Sequence, residues 1–175
     1  NFKFEEIVKQ IEEKFKTWQP KSVDTTTTKP NFNPCIVKKN KDIEQVNLAI
    51  NLDAIPMTNN REVYALSVVN NVFGGSISSR LFQKIREEKG LAYSIYSSQT
   101  LYEDCGELGI FASTSTENIQ EVYKSILEEI ELIRNEYISP QEIHESKEQL
   151  KGSYMLDLES TSSRMMSNGK NLLMR

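Results

Sequence analysis

The most informative part of the sequence is the run from Asn71 to Tyr96, which reads NVFGGSISSRLFQKIREEKGLAYSIY. A glycine pair ends one helical pattern, and a second short helix follows over residues 79–89. Gly90 stands where a C-terminal helix cap is expected. The pattern then changes to that of a strand, so this run predicts a helix that turns directly into a β-strand.

Three segments alternate apolar and polar residues and are predicted as strands. They are residues 46–52, residues 91–95, in which Leu91, Tyr93 and Ile95 share a face, and residues 108–112. A turn at residues 102–106 predicts that the last two strands form an antiparallel hairpin.

Helical periodicity marks residues 4–18, 61–73, 119–133, 139–158 and 164–173. Thr114 and Glu117 have the spacing of a capping box, and Ser139-Pro140-Gln141-Glu142 is a stronger helix start. No β-helix-β repeat covers the chain. The sequence therefore predicts an α+β fold, a mostly antiparallel sheet with helices packed mainly on one face.

Pro20 ends the first helix, and a threonine- and proline-rich segment without periodicity follows it. We therefore divide the chain into a helix left from a preceding half (1–20), a linker (21–34) and one domain (35–175). The last helix has no cap, which predicts that this domain is truncated at its end.

The composition argues against several classes of protein. The chain has 175 residues, 38% of them hydrophobic, and a net charge of -4. No basic stripe favours nucleic-acid binding, and no apolar run is long enough to span a membrane. Two distant cysteines, Cys35 and Cys105, indicate free thiols in a reducing compartment, so we expect a cytoplasmic protein. A bridge between them stays open at this point.

No metal site or catalytic nucleophile can be assembled from the sequence. His144 is the only histidine, beside Glu145 and Glu148 on a polar helix face, whereas zinc sites need three or four suitable ligands. The segment 74–80, GGSISSR, lacks the Gly-Lys-Ser/Thr of a phosphate loop. We read it as a tight link between helices, with glycines that supply unusual backbone angles.

The run 71–96 resembles the C-terminal-half signature of the M16 zinc metallopeptidases, the pitrilysin or mitochondrial-processing-peptidase-like family. The similar features are the Gly-Gly turn, SSRLF (78–82) and REEKGLAYS (86–94). Further pieces agree in order: Glu44-Gln45, Tyr102 with Gly106, the helix start at 139–142, KGS (151–153) and LESTSSRM (158–165). The resemblance covers roughly residues 34–175 and implies a metallohydrolase half-domain of the LuxS/MPP-like type.

The resemblance implies a division of labour between two similar halves. The N-terminal half binds zinc through an inverted His-x-x-Glu-His motif. The C-terminal half contributes an arginine and a tyrosine seven residues apart, which Arg86 and Tyr93 match. An arginine fork and a phenol suit a peptide carbonyl and its oxyanion. Without the resemblance, Arg86 would be read as a solvated helix-end cation and Tyr93 as a core residue.

Two further features are weaker. The hairpin edge near Ser113 and Thr114 is expected to offer backbone groups to an extended peptide. Glu159 and Arg164, a second feature of the family, are read as a structural ion pair or a polar link between helices.

The leading hypothesis is that this chain is the substrate-binding half of an M16 zinc endopeptidase. It would be inactive alone, with zinc bound outside it and a peptide substrate and the N-terminal half as its partners. An alternative is a non-catalytic M16-like structural or substrate-recognition subunit, and a third is an unrelated α+β interaction domain. The apolar stripe Phe4, Ile7, Ile11, Phe15 and Trp18 is expected to dock on its own or a neighbouring domain. We therefore also expect a homo-oligomer.

Overall fold

The computed structural model describes residues 3–19, 22 and 28–173. Its sheet has three antiparallel strands, β1 (Val46–Ala54), β2 (Ser94–Leu101) and β3 (Gly106–Thr114), in the order β1-β3-β2. The helices are α1 (Phe4–Phe15), α2 (Asn60–Asn70), the π-helical segments π1 (Asn71–Gly75) and π2 (Phe82–Glu88), α3 (Ile119–Glu136), α4 (Pro140–Asp157) and α5 (Thr161–Leu173). The predicted α+β fold is confirmed.

The core lies on one face of the sheet, as the alternation in the strands predicts. In β1 the even-numbered apolar residues are half-buried and the residues between them are exposed. The register places Leu48 opposite Ala112 and Ile50 opposite Ile110, so the apolar residues of both strands share that face. Helical side chains cover it, and the buried cluster consists of Phe73, Leu81, Ile85, Ala92, Ile95, Ile110, Ala112, Val122 and Ile126.

The hairpin predicted between the last two strands is confirmed. Its turn is closed by a 2.8 Å hydrogen bond from the backbone N–H of Tyr102 to the carbonyl oxygen of Cys105. Gly106 follows, and a Cβ atom there would lie 2.2 Å from the carbonyl oxygen of Ile55. The backbone that leaves β1 therefore approaches the hairpin too closely for any side chain at position 106. Cys105 and the exposed Cys35 are both free thiols.

Gly74 and Gly75, which end the helical pattern of residues 61–73, have a different structural role from the one predicted. The helix continues through α2 as the wider turns of π1 and ends at Gly75. Of the described glycines only Gly90 has a positive φ, so the expectation of unusual backbone angles at 74 and 75 is wrong. A Cβ on Gly74 would instead lie 2.7 Å from the backbone nitrogen of Ser97. Gly74 lets the helix pack directly against β2.

The capping box predicted at Thr114 and Glu117 is wrong. Thr114 is the last residue of β3, and α3 begins five residues later, at Ile119. The Thr114 hydroxyl donates a hydrogen bond to the carbonyl oxygen of Leu91, so it is unavailable as a helix cap. Thr114 and Glu117 have the spacing of a capping box, but β3 extends through Thr114, because pairing with Val46 on β1 keeps that residue in the sheet.

The capping box at the start of α4 is confirmed, and the structure adds an ion pair to it. The Ser139 hydroxyl accepts from the N–H of Glu142, while the Glu142 carboxylate accepts from the N–H of Ser139. The same carboxylate accepts two hydrogen bonds from the Arg80 guanidinium, at 2.7 and 2.9 Å. The Arg80 hydrogen bond is the main cause that lowers the pKa of Glu142 from 4.5 to about 2.

Replacing Glu142 by glutamine should therefore cost stability in a pH-dependent way. Glutamine keeps the capping box but removes the charge that faces Arg80. A carboxylate whose folded-state pKa is depressed stabilises the protein above its unfolded-state pKa and loses that contribution as the pH falls through about 2. We expect the difference in free energy of unfolding between wild type and Glu142→Gln to be constant above about pH 5 and to shrink below it. Urea titrations between pH 3 and pH 7 measure it, and a pH-independent difference would contradict the ion pair.

Helix α1 stays uncovered within this chain. None of its residues is buried, and the stripe side chains Phe4 and Trp18 are 69% and 74% exposed. Phe15 and Trp18 contact each other edge to face, with ring centroids 4.7 Å apart. The stripe was expected to dock on its own or on a neighbouring domain. For the described residues, docking on its own domain is wrong.

The C-terminal helices differ in detail from the prediction. α5 begins at Thr161, three residues before the predicted start at Arg164. The Arg164 guanidinium donates to the carbonyl oxygen of Leu158, so the link is polar and joins the end of α4 to α5. No ion pair joins Glu159 to Arg164. Among the residues that the structure describes, no helix is both long enough and apolar enough to cross a bilayer.

Candidate functional site

Arg86 lies in the last turn of π2 with its side chain exposed. Its guanidinium carbon lies 4.8 Å from the centroid of the Phe82 ring, a cation–π arrangement that restrains the side chain without neutralising it. In the described part of the chain no carboxylate pairs with it. Arg86 is therefore a cation held in a defined place and free to bind an acceptor.

The two lysines near Arg86 are occupied by α3. Lys84 donates to the carboxylate of Glu129, which is 2% exposed, and this hydrogen bond raises the pKa of Lys84. The Lys89 ammonium lies 2.8 Å from the Ser125 hydroxyl and 3.4 Å from a Glu121 oxygen. These contacts hold π2 and its C-terminal end against α3. The guanidinium of Arg86, which lies between the two lysines, stays unpaired.

A short loop connects π2 to β2 and reverses the chain at Gly90. This residue has a φ of 62°, and nothing lies within 4 Å of the position that a Cβ would take. The glycine is thus required by its left-handed backbone and not by crowding. The predicted C-terminal cap is confirmed. The N–H of Leu91 then donates to the carbonyl oxygen of Ile85 at 3.0 Å, which holds the loop against the helix end.

Tyr93 is the residue immediately before β2, and its side chain is 60% exposed. The alternation with Leu91 and Ile95 does not bury Tyr93, so the reading of Tyr93 as a core residue is wrong. Its backbone N–H donates to the carbonyl oxygen of Ser113 at 2.8 Å, so the backbone is fixed while the phenol reaches solvent. Arg86 and Tyr93 are both exposed, the first in the last turn of π2 and the second at the end of the anchored loop that follows this helix.

The structure corrects the expectation of a free edge at Ser113 and Thr114. Both residues belong to β3, the central strand, where Ser113 pairs with Asn47 on one side and with Ser94 on the other. Ser113 therefore has a paired strand on each side, and Thr114 pairs with Val46, so these residues do not form a free sheet edge. The Thr114 side chain is 0% exposed, and the Ser113 hydroxyl donates to the Gln45 side chain at 2.7 Å.

Sequence reasoning missed the contacts that hold this region in place. Lys84 and Glu129 are separated by 45 positions, Thr114 and Leu91 by 23, and Ser113 and Gln45 by 68. No local pattern predicts such partners. The available signal was the position of Glu129 at helical spacing from Ile126 and Ile133, since a polar group buried on such a stripe needs a hydrogen-bond partner.

His144 is exposed on α4. Over residues 3–19, 22 and 28–173, no group of three or more His, Cys, Asp or Glu side chains is arranged to hold a metal ion. The candidate residues Arg86 and Tyr93 bring two hydrogen-bond donors, a guanidinium and a phenol, to an α+β scaffold.

Comparison with known proteins agrees with that class of domain. The family model described as "Peptidase M16 inactive domain" matches residues 1–150. The uncharacterized zinc protease YmxG of Bacillus subtilis is 42% identical over 168 residues, which cover 96% of this chain and 41% of that protein. The chain thus spans about two fifths of the length of this curated relative.

Two solved structures are similar. The peptidase M16 inactive domain from Pseudomonas fluorescens has a TM-score of 0.58 and 26% identity, covering 63% of this chain and 27% of that one. A protease from Helicobacter pylori has a TM-score of 0.74 at 17% identity, covering 98% and 43%, and this likeness concerns the fold alone.

The fold and its matches define a half-domain of the metallopeptidase type. The chain belongs to the M16 peptidase family, as its inactive, C-terminal domain.

Proposed function

We propose that this chain is the substrate-binding half of a zinc-dependent M16 endopeptidase. The observation that carries the proposal is the pair Arg86 and Tyr93: the guanidinium lies unpaired in the last turn of π2, and the exposed phenol stands at the end of the anchored loop that follows. Relatives named zinc proteases support the same class of activity for the intact protein. In this proposal the chain binds the peptide, and the hydrolytic water comes from the other half.

Each of the two side chains has a defined part in this proposal. The Arg86 guanidinium would donate to a peptide carbonyl oxygen and orient the backbone. The Tyr93 hydroxyl would donate to the same oxygen as negative charge develops on it during attack by water. Zinc, bound by the other half, would supply an activated water at neutral pH. No residue of this chain is assigned to the metal.

The remaining features of the assembly follow from the two-half arrangement. We assign residues 1–20 to the preceding half, 21–34 to a linker and 35–175 to the C-terminal-type domain. The exposed stripe of α1 would then pack on the N-terminal half, and in its absence on a second copy of the chain. The free thiols of Cys35 and Cys105 support a reducing, cytoplasmic location.

The experiment that tests the proposal compares the intact protein with this chain alone. We expect stoichiometric zinc and chelator-sensitive cleavage of an unstructured peptide in the intact protein, and neither in residues 1–175. The same peptide should bind to both. Zinc and proteolysis in the isolated chain would contradict the proposal, as would an intact protein that contains zinc but cleaves no peptide.

A second candidate function is that of a non-catalytic M16-like subunit that recognises or holds peptides. The description of the matched family as an inactive domain agrees with it as well as with the first candidate. The same experiment separates the two, because this candidate predicts peptide binding by the intact protein without zinc or cleavage. A His-x-x-Glu-His motif in the sequence that precedes this chain would favour the first candidate.

A further inference from the structure

The loop that carries Tyr93 is held by the last two residues of the central strand. Leu91 is fixed through both of its backbone groups: its N–H donates to Ile85, and its carbonyl oxygen accepts from the Thr114 hydroxyl. Two residues further on, the N–H of Tyr93 donates to the carbonyl oxygen of Ser113. The segment from Leu91 to Tyr93 is thus connected at each end to consecutive residues of β3.

Thr114 occupies an unusual place for a polar side chain. It is 0% exposed and lies at the end of a strand whose inner face is otherwise formed by Leu108, Ile110 and Ala112. A buried hydroxyl needs a partner, because leaving it unpaired in an apolar setting is unfavourable. Its partner is the Leu91 carbonyl, a group that lies outside regular secondary structure. The contact therefore belongs to the loop and adds nothing to the strand ladder.

We propose that Thr114 is a positioning residue, which acts through the backbone of Leu91 to hold the Tyr93 phenol where a bound peptide meets it. This inference rests on the proposed function of Tyr93. Small displacements of a group that must meet a reacting atom reduce rates strongly, so fixing the loop on the central strand has a functional consequence. The role replaces the direct peptide contact expected for Thr114 from the sequence.

Two substitutions separate the hydroxyl from the shape of the side chain. Thr114→Val keeps the branched shape and removes the donor, whereas Thr114→Ser keeps the donor and removes a methyl group. In the intact protein, we expect Thr114→Val to lower kcat/KM roughly threefold to tenfold, the range of one net hydrogen bond. Thr114→Ser keeps the donor and should retain most of the wild-type kcat/KM. Thr100→Val, at an exposed position of β2, is the matched control and should leave kcat/KM unchanged.

A double-mutant cycle with Tyr93→Phe shows whether Thr114 acts through Tyr93. If it does, Thr114→Val should cost little further activity once the phenol hydroxyl is gone. A purely structural role predicts instead that the two losses multiply. Multiplying losses, or equal losses for the valine and serine variants, would overturn the inference.

A readout independent of activity keeps this inference distinguishable from the proposed function. Amide hydrogen exchange reports local opening, and we expect Thr114→Val to speed exchange at the Tyr93 amide while the amides in the middle of β3 stay protected. Unchanged exchange at Tyr93 would overturn the positioning role. If exchange is faster but Tyr93→Phe has full activity, the hydrogen bond of Thr114 does hold the loop, but the proposed role of Tyr93 fails and the inference that Thr114 positions a catalytic phenol is overturned with it.

Discussion

The Tyr93→Phe variant of the intact protein is expected to lose about two orders of magnitude in kcat, the effect typical of removing one oxyanion donor. The change deletes a single hydroxyl from a side chain that is 60% exposed. The backbone contact of Tyr93 with Ser113 does not involve that hydroxyl and should persist. Because the donor acts mainly when charge develops on the carbonyl oxygen, kcat should fall far more than KM rises.

The measurement is steady-state cleavage of a peptide together with the zinc content of each variant. Zinc should remain stoichiometric, because no residue of this chain is assigned to the metal. Tyr123→Phe is the matched control: Tyr123 is exposed on α3, a helix to which no substrate contact is assigned, and the loss of its hydroxyl should change neither kcat nor KM. Wild-type turnover in Tyr93→Phe would show that Tyr93 is not an oxyanion donor. A loss of zinc would show that the substitution acts on metal binding instead.

The Lys84→Met variant is expected to have the largest effect on stability. It leaves the carboxylate of Glu129, whose side chain is 3% exposed, without its cation. Breaking a buried pair from one side costs about 3–5 kcal/mol of unfolding free energy, and we expect about 3 because Lys84 keeps 35% of its side chain in water. Lys84 also anchors π2, so the position of Arg86 should become less defined in the same variant.

Denaturant titration of wild type and variants measures this loss. Lys124→Met is the matched control, because Lys124 lies on the surface of α3 and its contact with Glu128 is 3.9 Å long between exposed side chains. Its loss should change the unfolding free energy by less than about 0.5 kcal/mol. The double variant Lys84→Met/Glu129→Met should recover much of the stability, since no buried charge remains. A double variant as unstable as the single one would show that the loss does not come from the unpaired carboxylate of Glu129.

Local patterns in the sequence predicted the elements well where the physical signal is itself local. The alternation over residues 46–52 predicted β1 to within two residues of its end, and the serine, proline and glutamate at 139, 140 and 142 predicted the start of α4. Gly90 was predicted as a cap from its place after a helical pattern, and its φ of 62° agrees. These features depend on neighbours within a few positions, so a single sequence contains the information.

Predictions failed where a local pattern competed with a distant contact. Thr114 and Glu117 satisfied a capping spacing, but pairing with β1 keeps Thr114 in the sheet. Tyr93 fitted the alternation of Leu91 and Ile95, but the three loop contacts place it outside the strand with its side chain exposed. The glycine at 74 resembled a turn residue, whereas its function is close packing against Ser97.

The sequence by itself determined the fold class and the approximate position of most elements, because periodicity and caps depend on residues near each other in the chain, and the resemblance of the run 71–96 to the M16 family made Arg86 and Tyr93 the candidates. The tertiary structure alone decided that β3 is central, that Thr114 is buried against Leu91, and that Lys84 is paired while Arg86 is not. Those facts depend on groups brought together from positions 23 and 45 residues apart, and a linear pattern does not encode which of several possible partners the folded chain selects.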